Sequence, residues 1–257
     1  MTVPLTAVEY GQGPPLAILH GLFGSGRNWT SIAQRLSKQH RVVTLDLRNH
    51  GASPWADTMD YEEMAADVRA TLHARGYHRY ALLGHSMGGK VAMVAALQHG
   101  AEVERLVVVD IAPVNYPPHH LALVQAMREL DLAGIERRSE ADARLARSIP
   151  NPAERAFLAQ NLVFEDGRAR WRLNLAAIEQ AMPKLGEFPD LPPTAIYNAP
   201  ALFIAGGQSD YLRPEHAPAI RRRFPSAEIV RIGNAGHWLH AEQPQAFLSI
   251  VEPFLSR

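Results

Sequence analysis

The chain contains no cysteine. Disulfides, thiolate metal sites and a cysteine nucleophile all need that sulfur, so all three are excluded together. Excess charge of either sign is missing too, with 26 Lys and Arg against 26 Asp and Glu. That balance excludes the basic footprint of a nucleic-acid binder and the acidic tail of a solvating segment. No apolar run approaches the ~20 residues of a membrane-spanning helix; the longest, Val91 to Leu97, is far short of it. The first ten residues show neither the basic start nor the apolar stretch of a signal peptide, and with the lack of cysteine this points to the cytoplasm. Lysine is scarce, Lys38, Lys90 and Lys184 being the whole set, a skew toward arginine that carries no functional argument.

What the chain does have is apolar material, 47% of 257 residues, enough to bury a sizeable core. Length alone leaves one domain or two open. Short apolar runs at 16–19, 42–45, 80–83 and 106–109 show no polar alternation and read as strands covered on both faces. Between them, 29–38, 61–74 and 87–98 have helical periodicity, so the first half predicts a mostly parallel sheet with helices on both faces. Residues 5–10 fit an antiparallel edge strand. From Pro113 the rhythm breaks: 121–130, 140–148, 153–161 and 173–182 are helical, with a small hairpin turning at Asp166-Gly167. Prolines 183, 189, 192 and 193 mark the exit, and strand–helix alternation resumes at 201–204, 215–224, 228–232 and 243–255. The organisation predicted is a core of residues 1–112 and 196–257 interrupted by a helical cap, 113–195.

The chemistry begins at Gly84-His85-Ser86-Met87-Gly88. A Gly-x-Ser-x-Gly between a strand and a helix is a nucleophile elbow: the tight turn exposes the serine hydroxyl at a helix N-terminus, and the glycines remove side chains that would collide. The same stretch imitates a phosphate-binding loop, Gly84 with Gly89-Lys90, but Val91 stands where a magnesium-holding hydroxyl belongs. A nucleotide hydrolase is therefore the weaker reading. His20-Gly21-Leu22 follows the first buried run and suits an oxyanion hole made by the Leu22 and Met87 amides. Gly236-His237-Trp238 follows the last strand, and His237 there suits the general base of Ser86 in the chain order Ser, acid, His.

Together His20–Ser25, Asp46–Ser53, Gly84–Gly89, Val109–Pro113 and Gly236–Ala241 resemble the α/β-hydrolase superfamily and, within it, the YbfF-type esterases, small bacterial carboxylesterases similar to a mitochondrial branch in animals. The resemblance implies an eight-stranded sheet, a helical cap, no metal or cofactor, and hydrolysis of acyl esters or thioesters. Two acids compete for the triad. Asp210 occupies the usual superfamily position after strand 201–204; Asp110, ending strand 106–109, matches the position that the YbfF-type resemblance implies. Asp110 is preferred and Asp210 is the alternative, with Ser209 placed to support the acid or the histidine by a hydrogen bond.

Apolar residues near these motifs, Phe23, Tyr116, Leu123, Trp171, Tyr211 and Trp238, are candidate walls for a small-molecule acyl substrate. Residues 113–195 hold 10 basic and 11 acidic side chains, which gives no support to a phosphate-rich acyl-CoA, although Arg137-Arg138 and the Arg170/Arg172 pair offer local cations. Neither His119-His120 nor His237-x-x-His240 has a third ligand at metal-binding spacing. His50 reads as a loop anchor and Arg48 as a partner for a nearby carboxylate. Perhydrolases, carbon–carbon bond hydrolases, hydroxynitrile lyases and a non-enzymatic small-molecule receptor share this fold and stay open as alternatives. Nothing in the sequence sets an oligomeric state.

Overall fold

A computed structural model describes residues 1–117 and 120–257, so His119 lies outside the described residues. The chain runs β1 (Ala7–Tyr10), β2 (Pro15–Leu19), α1 (Thr30–Leu36), β3 (Arg41–Leu45), α2 (Tyr61–His73), β4 (Tyr80–His85), α3 (Met87–Gln98) and β5 (Val103–Val109). After β5 come α4 (Leu121–Glu129), α5 (Arg138–Leu145), α6 (Pro152–Ala159), a hairpin of β6 (Leu162–Glu165) and β7 (Arg168–Trp171), and α7 (Leu175–Gly186). The chain then resumes with β8 (Ala201–Gly206), α8 (Ala217–Arg223), β9 (Ala227–Ile232), the short α9 (Leu239–Glu242) and α10 (Pro244–Ser256).

The main sheet has seven strands in the order β1-β3-β2-β4-β5-β8-β9, parallel except for β1. Eight strands were implied by the resemblance, and the missing one has a physical cause. The first six residues spend backbone donors on side chains: Val3 on Asp67 (2.8 Å), Leu5 on Thr71 (3.0 Å) and Thr6 on Ser53 (2.8 Å). Those donors are then not available to a further strand, and of this segment only the Thr6 carbonyl joins the ladder, accepting the Asp46 N–H at 2.9 Å.

Both faces of the sheet are apolar, which is why the strands read as continuous runs rather than alternating ones. Leu16, Ile18, Leu83, Val107 and Ile204 pack against Trp29, Ile32 and Leu36 beside α10 residues Phe247 and Val251. The intervening Ala17, Leu19, Leu82, Val108 and Phe203 face α2, α3 and α8 through Met64, Val68 and Ile220. Insertion residues Val124, Met127, Leu158 and Ile178 belong to that same second cluster. The buried residues of 113–195 are therefore continuous with the core's apolar interior. Asp166 (φ 50°) and Gly167 (φ 72°) turn the hairpin between β6 and β7 as their sequence predicts.

The parallel register sets the site. Leu19 pairs with Gly84, His85 with Val109, and Val109 with Ile204. The residues that follow these strand ends, His20, Ser86, Asp110 and the 206–210 loop, therefore emerge side by side at one edge of the sheet. Among the described residues no helix is long and apolar enough to cross a membrane.

Candidate active site

Ser86 sits between β4 and α3 with φ 52° and ψ −118°, a conformation non-glycine residues seldom adopt. Its N–H donates to the Val109 carbonyl at 3.0 Å, pinning the turn to the neighbouring strand. Such strain costs on the order of 1–3 kcal/mol and persists only where the surroundings over-determine it. The two flanking glycines do so. A Cβ on Gly84 would lie 2.1 Å from the Gly88 carbonyl oxygen, and one on Gly88 would lie 2.5 Å from that of His20. Elbow and His20 loop are thus in backbone contact, which brings Leu22 and Met87 to the same small cavity as Ser86.

Asp110 also has positive φ (53°) and is fully buried. Its Oδ1 accepts the Gly206 N–H at 2.9 Å. Its Oδ2 accepts the Ser209 hydroxyl and the His237 Nδ1–H, the latter at 2.8 Å. Asp210, the alternative acid, points the other way: its side chain is 91% exposed and its Oδ1 lies 3.7 Å from Arg213 Nε. The residue that shares its loop and reaches Asp110 is Ser209. The His237 ring lies against Tyr211, with ring centres 4.1 Å apart and planes 27° from parallel. Tyr211 in turn places its hydroxyl 3.0 Å from His120 Nε2.

The loop after β2 is set by two neutral histidines. His20 Nδ1–H donates to the Gly21 carbonyl (2.8 Å), and its Nε2 accepts the Leu47 N–H (3.0 Å). His50 Nδ1–H donates to the Arg48 carbonyl, and its Nε2 accepts the Phe23 N–H at 3.3 Å. Burial and the nearby His20 hold His50 down to about 3, so it works as a neutral acceptor. Asn161 from the insertion closes the loop by donating to the Phe23 carbonyl at 2.9 Å. His50 is the anchor the sequence suggests. Arg48 has its carboxylate in Asp67 (2.6 Å), a residue hidden mid-helix in α2.

Two cavities meet at Ser86. The larger, about 160 Å³, is walled by Phe23, Leu123, Phe157, Tyr211 and Trp238 and contains His237. The smaller, about 50 Å³, shares Leu22, Ser86 and Tyr211 with it and contains Met87, Tyr116 and Leu185. Five of the six wall residues expected from sequence line one cavity or the other. Trp171 does not: it is buried inside the insertion, where its indole N–H donates to the Met127 carbonyl at 3.0 Å. The ring is buried in the same apolar cluster as Met127 and Leu162, and its one polar atom finds its partner there.

The site also holds residues that the sequence reading left out. His85, the variable residue of the elbow, donates from Nε2 to the His237 carbonyl at 2.9 Å. Burial, then His237 and His240, hold its pKa well below normal, so it adds no positive charge beside His237. His240 stacks on Trp29, ring centres 4.0 Å apart, and burial holds it down to about 3. A buried residue directly before the serine was the available signal for His85; nothing local in the sequence pairs Trp29 with His240, 211 positions on. Among the described residues no group of three His, Asp or Glu side chains is arranged to hold a metal ion.

Known proteins give this geometry its context. A family model described as alpha/beta hydrolase fold matches residues 14–244. The mouse (Mus musculus) sn-1-specific diacylglycerol lipase ABHD11 is 42% identical over 251 residues, covering 95% of this chain and 81% of that one. Esterase YbfF of Escherichia coli K12 is 33% identical over 252 residues, covering 98% and 96%. A solved marine microorganism esterase superposes with a TM-score of 0.95 at 38% identity, covering 98% of this chain and all of that one. With a seven-strand sheet of this order and relatives of this closeness across nearly its whole length, the chain belongs to the α/β-hydrolase fold family.

Proposed function

We infer that this carboxylic ester hydrolase is a serine esterase in which Ser86 is the nucleophile, His237 the general base and Asp110 the acid. The observation that carries this reading is the contact of His237 Nδ1 with a fully buried Asp110, on the wall of the cavity that also contains Ser86. A carboxylate at Nδ1 fixes the tautomer that leaves Nε2 free to accept the serine proton, and it stabilises the imidazolium that forms. The two Asp110 oxygens already accept three donors, so the carboxylate is held in place before any substrate arrives.

In the reaction that follows from these positions, His237 removes the Ser86 proton as the oxygen attacks the acyl carbonyl. The Leu22 and Met87 amides hold the developing oxyanion. His237 then gives its proton to the departing alkoxide, leaving Ser86 acylated. Water, deprotonated by His237, cleaves the acyl-enzyme and restores the serine. Residues 113–195 act as the cap: Leu123 and Phe157 come from its helices, while Phe23, Tyr211 and Trp238 come from the core. The substrate class is small to medium acyl esters, and a thioester changes only the leaving atom. The mouse relative's name adds glycerol esters to the compounds worth assaying.

The test is hydrolysis of p-nitrophenyl esters of graded chain length and of acyl-CoAs, with Ser86→Ala beside the unaltered protein. Turnover that collapses in Ser86→Ala, with covalent labelling of Ser86 by a fluorophosphonate, supports the reading. Turnover undiminished in Ser86→Ala would sink it, and tight small-molecule binding without turnover would favour a receptor.

A further inference from the structure

The elbow helix carries a buried lysine that this reaction does not use. Lys90 lies one turn beyond Ser86 and is 1% exposed; its backbone N–H donates to the Ser86 carbonyl at 3.1 Å. Its Nζ donates to the carbonyls of Gly186 (3.0 Å) and Glu187 (2.7 Å) at the end of α7. It also lies 5.4 Å and 5.0 Å from the ring centres of Tyr61 and Tyr116. The groups in direct contact are neutral carbonyls and rings, with the Glu187 carboxylate acting only through space, and the third N–H of the ammonium has no hydrogen-bond acceptor among the described residues. A buried ammonium in such company either gives up its proton or awaits an anion. Burial has already drawn this amine down to about 7, against the opposing pull of Glu187.

Where that anion would come from follows from the two cavities. In the reaction above, His237 protonates the leaving group, so the leaving group occupies the larger cavity, which His237 walls. Three positions on the tetrahedral carbon are then taken: by the serine oxygen, the oxyanion and the leaving oxygen. The fourth, the acyl chain, points into the smaller cavity, which has apolar walls at Met87, Ile111, Met182 and Leu185 and Lys90 among its lining residues. About 50 Å³ suits a chain of only a few atoms.

We propose that Lys90 is a specificity-determining residue that binds a carboxylate at the far end of a short acyl group, making half-esters of short dicarboxylic acids the preferred substrates. The proposal rests on the roles given above to Ser86 and His237. It also separates two functions of the lysine. As a clamp on α7 it would influence every substrate alike; as an anion anchor it discriminates between acyl groups that differ only in charge.

The experiment compares kcat/KM for benzyl hydrogen succinate and for benzyl succinamate, its uncharged amide counterpart, at pH 6.5 on the full chain, with p-nitrophenyl butyrate as reference. The unaltered protein should favour the acid by about tenfold or more, the worth of one charge-assisted hydrogen bond. Lys90→Gln, which keeps a donor for the α7 carbonyls but no charge, should lose that ratio, and Lys90→Met should lose it too. Lys90→Arg should retain part of it. Equal treatment of the two esters by the unaltered protein, preference for the amide, or a ratio undisturbed in Lys90→Gln would overturn the proposal. The first two outcomes need no variant to fold. If p-nitrophenyl butyrate is cleaved through Ser86 and neither benzyl ester is, the lysine proposal alone fails. If the butyrate is not cleaved, or is cleaved equally by Ser86→Ala, the serine-esterase reading fails and takes this proposal with it.

Discussion

The edge of the sheet and the 113–195 insertion face each other across the same cavities, yet they are held by different means. At the edge the backbone itself is constrained: Phe23, Ser86 and Asp110 have φ of 62°, 52° and 53°, and neighbouring loops touch backbone to backbone. In the insertion the ties are long side chains reaching carbonyls. Arg138 donates to Ala159 and Leu162, Arg155 to Ile149 and Pro150, and Arg144 to Asp131. A strained turn tolerates almost no change of residue, whereas an exposed arginine can be replaced for a fraction of a kcal/mol to about 1 kcal/mol. The edge around Ser86 and the cavity walls that the insertion supplies are therefore built to different tolerances.

The largest effect that could break this contrast is at the acid. Asp110→Asn removes the carboxylate but leaves its shape, and kcat should fall by about three to four orders of magnitude. Asp210→Asn, on a solvent-facing side chain in the same region of the fold, should stay within about twofold, because exposed charges of this kind contribute little. Steady-state kinetics of the two variants on one p-nitrophenyl ester decide it; the reverse ranking would move the acid to Asp210.

Acid sensitivity should also belong to the edge. His20, His50, His85 and His240 are all buried there with pKa values lowered chiefly by desolvation. The unfolded chain takes up protons near pH 6.5 that the folded chain refuses until much lower pH. Stability present above 6.5 is therefore lost as pH falls below it. His50 and His240 alone, both held down to about 3, account for about 4 kcal/mol lost by pH 5, at roughly 1.4 kcal/mol per proton per pH unit. Urea midpoints at pH 7.5 and 5.0 measure this. Identical midpoints would mean that these rings are accommodated in charged form.

The same contrast explains what the sequence could and could not tell. The elbow and the His20 loop were legible because strained turns demand particular residues at fixed spacing, and glycines 84 and 88 announce the collision they avoid; His237 was legible from its place after the last strand. The choice between the two candidate acids was half legible. Asp110 and Asp210 both follow buried strands, and only the folded loop shows that the outward turn of 210 brings Ser209 to Asp110 instead. Trp171 was misplaced because an aromatic residue near a cap looks the same in sequence whether it faces a substrate or a helix. The eighth strand is not formed, and the contacts that occupy the first residues are long-range: Asp67 and Thr71 on α2 accept the Val3 and Leu5 N–H groups, which no local pattern records. Lys90 read as half of a broken phosphate loop, and its α7 partners lie 96 and 97 positions away.

Substitution of glycine sharpens the comparison at the level of stability. Gly84→Ala drives a Cβ to 2.1 Å from a backbone oxygen that cannot move without displacing Ser86, and should destabilise by about 3 kcal/mol with loss of turnover. Gly167→Ala in the hairpin meets nothing within 4 Å and carries only the penalty of its φ of 72°, about 1 kcal/mol, with turnover retained. Thermal unfolding with activity measured on the same samples would expose any insertion glycine that behaves like an edge one.

The smallest effect is the most discriminating, because it tests whether the edge depends on hydrogen bonds as well as on backbone strain. Ser209 donates to the same Asp110 oxygen that receives the His237 proton donor, while Gly206 N–H occupies the other oxygen. Ser209→Ala removes one of three donors from a fully buried carboxylate without touching the His237 contact. A lost hydrogen bond to a charged group is worth about 1.5–3 kcal/mol, but Asp110 keeps the Gly206 and His237 donors, so kcat should fall only about tenfold. Ser209→Thr, which restores the hydroxyl, should recover most of that loss. Arg138→Met removes two comparable donors from the insertion and should lower the melting temperature slightly while leaving kcat where it was. If Ser209→Ala turned over normally, the carboxylate would be held by backbone and histidine alone. If Arg138→Met lost kcat as Ser209→Ala does, the insertion would be holding the catalytic geometry, and the division between edge and walls would not stand.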